Sequence, residues 1–167
     1  PNTQPVIDDA AIVDFILRRA RDTALVRIAP MAAITKGLAG ELMSEIGSLK
    51  EAGAVAVTDA THAVSNASLF RRALTYAKDF DMLVVQHVEE ASLSKGVMNS
   101  SETASRLGLA GNPAMSEVIM LERDIRLVEM TGARYHASQI SCATSLEVIR
   151  RAKARGLPVT CGVSIHH

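Results

Sequence analysis

Three side chains able to hold a metal or a polar substrate close apolar runs of this sequence. Asp59 ends "AVAVTD", His87 ends "LVVQH", and Gln139 follows "ARYHAS". Carboxylate and neutral imidazole are ordinary zinc donors, whereas an amide oxygen is a poor one beside them. For Asp59 the competing reading is a turn or helix-capping carboxylate, because Thr61, Ser65 and Asn66 also favour a turn. For His87 it is an imidazole held in place by a hydrogen bond. Asn2, in "PNTQP", has an amide that can donate to a substrate carboxylate, or is a turn asparagine between prolines. His62 sits in a turn-rich stretch and reads as solvated. Cys142 and Cys161 lack Cys-x-x-Cys spacing, so thiolate chemistry is not expected of them.

The elements that must carry these residues alternate in type. Residues 24–33, 54–59, 82–88, 133–141 and 158–165 read as strands, several of them near-continuously apolar, as in a parallel sheet covered on both faces. Between them lie helical periods. Asp8 or Asp9 is placed to cap a helix over "AAIVDFILRRA". Further helices are expected over residues 41–52 and 114–130, and "TSLE" (Thr144 to Glu147) has capping-box spacing ahead of another that Gly156 stops. Most strand-to-strand steps take about 25 to 30 residues, the length of a βα unit. One step is about twice as long and contains residues 89–113, too long for a plain connection and so a candidate functional loop.

Five strands alternating with helices give an α/β class. A doubly wound sheet stays open, but no G-x-G-x-x-G follows a strand. Polar groups at successive strand ends suit a (β/α)8 barrel, although 167 residues is short against the roughly 250 typical of one. If alternation holds along residues 133–141, Tyr135, Ala137 and Gln139 share one face; with Gln139 facing inward, His136 would face the helices. Eighteen basic and eighteen acidic residues cancel, aromatics are 3% and Trp is absent, so neither nucleic acid nor an anionic membrane is an expected partner. The seven methionines read as core filler. A single domain over 1–167, soluble and cytoplasmic, is the expectation, with two reduced thiols.

"PNTQPVIDD", "AAITKGLAGELMSEIGSLKEAGAVAVTDA", "HVEE", "GVMNSSETASRLGLAGNPAMSEVIMLERDIRLVEMTGARYH" and "VTCGVSIHH" together, in order, resemble the dihydroorotase family of the amidohydrolase superfamily. The resemblance implies a zinc-dependent TIM-type barrel that interconverts carbamoyl-aspartate and dihydroorotate in pyrimidine biosynthesis. It implies metal ligation by Asp59 and His87 and a substrate-carboxylate contact by Asn2. Where the family has a second histidine ligand, this chain has Gln139. The family's His-x-His would lie before Pro1 and its acid/base aspartate after His167, so the chain corresponds to about the second to seventh βα units. This segment alone is then expected to be inactive. His166 and His167 match a paired-histidine segment but are not assigned to metal. A homo-oligomer is expected. Some relatives are non-catalytic partners of aspartate carbamoyltransferase, which makes that enzyme a candidate partner. Hydantoinase- or allantoinase-type cyclic amide hydrolysis is a further alternative.

Overall fold

The computed structural model describes residues 1–166. Helix α1 (Ala10–Thr23) leads to strand β1 (Met31–Ala32), a short 3-10 turn (Lys36–Leu38), α2 (Ile46–Glu51), β2 (Ala56–Val57), α3 (Ala67–Asp79) and β3 (Leu83–His87). The long connection then forms β4 (Met98–Asn99), α4 (Glu102–Arg106) and β5 (Gly111–Asn112), before α5 (Met115–Thr131), β6 (Tyr135–Ser138), α6 (Ala143–Ala154) and β7 (Val159–Cys161). The main sheet has five strands in the order β1-β2-β3-β6-β7, every neighbouring pair parallel. Strands that follow one another around the sheet in chain order, each joined through a helix, trace an arc of barrel wall. The α/β reading therefore holds.

Register sorts the side chains onto two faces. Val84 pairs with Tyr135 and Gln86 with Ala137, and all four are buried. Tyr135 reaches the helices: its ring meets Phe70 of α3 edge-on and its hydroxyl donates to Asp124 of α5 at 2.8 Å. Leu69, Phe70, Leu74, Leu121, Val128 and Ile149 close the core on that side. Asp124 is fully buried, and its desolvation pushes the carboxyl up to about 6 even though Arg123 beside it favours the charged form. Arg123 also donates to the carbonyls of Val64 (2.9 Å) and Ser65 (2.8 Å), tying α5 to the segment before α3.

Several expectations are corrected. The first strand is confined to Met31–Ala32; residues 24–30 were apolar by composition, but Leu25 and Val26 are exposed. The helix expected over 41–52 begins only at Ile46, because residues 35–44 form a hook closed by Lys36 N–H to Leu42 O and Ser44 N–H to Ile34 O. Of the two aspartates placed to cap α1, Asp9 does so, accepting from Ala11 N–H at 2.8 Å, as expected. The capping box at Thr144 and Glu147 does not form; α6 starts after Cys142, whose side chain makes no cap hydrogen bond. Helix α5 and the stop at Gly156, which adopts φ 76°, follow the pattern. No helix among the described residues is long and apolar enough to cross a membrane.

Candidate active site

Strands β3 and β6 end side by side, and with the long connection they line an open cavity of about 390 Å³. His87, Glu89, Asn99, Asn112, Gln139 and Ser141 are among its lining residues, so the wall is mostly polar and includes two of the three strand-end side chains picked out above. His87 pairs in register with Ser138, on the face opposite the buried Gln86 and Ala137. That face turns away from the helices, toward the inside of a barrel. His87 Nε2 lies 2.7 Å from Glu89 Oε2. Burial raises the Glu89 carboxyl, but the contact with His87 works against it, and the net shift is downward.

Gln139 leaves the strand with φ 56°, in the left-handed region. Alternation therefore stops at Ser138, and the face of Gln139 says nothing about that of His136. The expectation that His136 faces the helices is overturned: it lies opposite Tyr135, with Nδ1 2.7 Å from Thr160 Oγ1 of β7. Burial there lowers its pKa, favouring the neutral ring.

Asp59 is elsewhere. Its Oδ1 accepts from the N–H groups of Ile34 (2.8 Å) and Thr35 (3.0 Å), and Oδ2 accepts from the Thr35 hydroxyl. It is buried, and desolvation raises its pKa although those three bonds and His62 oppose the shift. Asp59 thus clasps the end of β1 to that of β2, and it is not among the cavity residues. Asn2 is exposed and likewise outside the cavity wall. His62 is exposed and His166 lies in the exposed turn after β7; His167 lies outside the described residues. Both cysteines are free.

As a metal centre this donor set does not fit in the form seen. Three donors occupy Asp59, Glu89 occupies His87 Nε2, and the third strand end offers an amide. Among the described residues no three His, Cys, Asp or Glu side chains converge on a point. Sequence reasoning missed two carboxylates of the site, Glu89 and Glu117. Glu89 follows His87 by two places, a spacing that could have flagged it. Glu117 opens α5 and reaches residues 24 and 25 places ahead, which no local pattern shows.

The sequence profile described as Dihydro-orotase-like matches residues 1–145. The whole chain is 46% identical to a dihydroorotase of Syntrophobacter fumaroxidans and 48% identical to one of Desulfotalea psychrophila, covering 38% and 40% of those proteins. The chain thus spans about two fifths of the length of these curated relatives. Among solved structures, the L-hydantoinase (dihydropyrimidinase) of Arthrobacter aurescens superposes over 98% of this chain and 38% of its own length, with a TM-score of 0.78 at 18% identity. A D-hydantoinase from Bacillus sp. AR9 gives 0.65 over 92% of this chain and 35% of its own, also at 18% identity. These likenesses show the fold, a (β/α) barrel present in part. With the profile covering residues 1–145 and the strand-end cavity facing the barrel interior, this chain belongs to the dihydroorotase-like family.

Proposed function

We propose that the chain serves, within a complete barrel, in a dihydroorotase-type hydrolase that interconverts carbamoyl-aspartate and dihydroorotate for pyrimidine synthesis. The carrying observation is the polar cavity where His87 and Glu89 of one strand end face Gln139 of its neighbour. Glu89 orients the His87 ring through the 2.7 Å contact between Oε2 and Nε2. Gln139 offers an amide that both donates to and accepts from a cyclic amide. Asn2 would contact the substrate carboxylate from the β1 side of the sheet. Zinc is the family's metal, and in this segment it could engage His87 and Asp59 only if Glu89 and the β1 donors first released them. A cytoplasmic homo-oligomer belongs to the same reading.

The test uses the protein with its barrel complete. Dihydroorotate turnover and zinc content are measured on wild type, His87→Ala and Gln139→His. The expected result is turnover in wild type and a loss of about 100-fold or more in His87→Ala, as removal of a positioned acid/base or ligand group costs. Turnover unchanged by His87→Ala would overturn the assignment.

A second reading is a non-catalytic scaffold partner of aspartate carbamoyltransferase. Gln139 at a family histidine position and the fully engaged oxygens of Asp59 favour it. Stable association with that enzyme, without turnover by the dihydroorotase-like chain and without zinc, is the outcome that would select it.

A further inference from the structure

Helix α6 begins without a cap of its own, since Cys142 makes no side-chain cap bond and the Thr144/Glu147 box is unformed. A carboxylate from another helix stands in. The Ser141 N–H donates to Glu117 Oε2 at 2.9 Å and Oε1 at 3.1 Å, the Ser141 hydroxyl to Oε2 at 2.6 Å, and the Cys142 N–H to Oε1 at 3.4 Å. The helix start thereby gains acceptors for backbone donors that lack intrahelical partners, and an anion where the helix dipole favours one. One residue upstream, the Ile140 N–H donates to Gly162 O at 2.9 Å, and the Gly162 N–H returns to Ala137 O at 3.0 Å. Three consecutive amides after Gln139 are therefore anchored, two of them on Glu117. Gln139 itself holds a left-handed φ of 56°, a conformation that neighbouring contacts must maintain in a non-glycine residue.

We propose that Glu117 is a positioning residue of the cavity: by gripping residues 141 and 142 it holds the turn that presents Gln139 to whatever the cavity binds. The proposal rests on the cavity being the active site, as argued above. Glu117 acts from the cavity wall through the backbone, so its removal should loosen the turn before it loosens the fold. Ser141 is exposed, and water can replace the carboxylate at its N–H. The strand, by contrast, is fixed independently by its pairing with β3 and β7.

Glu117→Ala and Glu117→Gln are made in the protein with its barrel complete. Amide hydrogen exchange is followed at Ser141 and Cys142, and kcat and KM are measured for dihydroorotate. In Glu117→Ala, protection at these two amides should fall while protection along the middle of α6 persists. kcat should drop about 10- to 100-fold, the scale of a misplaced contact group. Glu117→Gln retains an acceptor oxygen and should restore most of both. Unchanged protection at Ser141 and Cys142 in Glu117→Ala would overturn the clasp, and lost protection with unchanged kcat and KM would overturn the positioning role. If Glu117→Ala fails to fold, Glu117→Gln decides: near-wild-type kcat with protection kept supports the proposal, and a loss of kcat with protection intact sinks it. A wild type inactive toward dihydroorotate would instead remove the functional reading, and with it any role in turnover, while exchange would still decide the clasp.

Discussion

Two carboxylates do the same work at opposite ends of this sheet and titrate in opposite directions. Asp59 reaches back 24 and 25 residues to take the N–H groups of Thr35 and Ile34 and the Thr35 hydroxyl. Glu117 reaches forward 24 and 25 residues to take the N–H groups of Ser141 and Cys142 and the Ser141 hydroxyl. Each stitches one βα unit to the next. Yet the Asp59 pKa is raised, chiefly by burial, whereas that of Glu117 is lowered because its hydrogen bonds outweigh a partial desolvation. Glu117 also accepts from the Cys142 thiol at 3.5 Å, so a further donor and easier access of water together set the opposite sign.

The sharpest way to break this pairing is deletion. Asp59→Ala strands the N–H groups of Ile34 and Thr35, both fully buried, and should cost about 3 kcal/mol or more by urea denaturation. Glu117→Ala exposes donors that water reaches and should cost about 1 kcal/mol, the scale of a lost helix cap. Equal costs would mean that burial is not what separates the two. A subtler contrast lies in pH. A raised acid such as Asp59 contributes stability that is complete below its ordinary value of 3.8 and fades as pH climbs through its higher folded pKa. A depressed acid such as Glu117 contributes stability above its ordinary 4.5 that fades as pH falls through its lower folded pKa. The advantage of wild type over Asp59→Asn should therefore shrink as pH rises above 3.8, while its advantage over Glu117→Gln should grow as pH rises toward 4.5 and level off above it. Parallel trends in denaturation midpoints would refute the opposed signs. Least affected should be Thr144→Ala, which removes a capping box that never forms and should stay within about 0.5 kcal/mol of wild type.

The alternation of apolar runs with amphipathic stretches made the βα repeat legible, because buried parallel strands are largely apolar, but it left the order of the strands open between a barrel and a doubly wound sheet. The cavity was legible as far as one residue per strand end: His87 and Gln139 do meet there. Asp59 was weighed as a local turn or a metal donor, and its partners proved to be a strand away. No local window reveals an acceptor whose donors come from the neighbouring βα unit. The direction of His136 was misread because a left-handed residue at 139 broke the period of two on which the inference relied. Glutamine gives no warning of that conformation, unlike glycine.

The long connection over the cavity is not slack chain. It carries its own parallel pair, β4 against β5, and backbone meets backbone so closely that a methyl group on Gly96 would lie 2.6 Å from Ala110 O and one on Gly111 2.6 Å from the Ser100 Cα. A roof built that way surrenders its freedom when the chain folds, not when a guest arrives. Whatever enters beneath it meets a connection already ordered, so little affinity is spent on ordering the host.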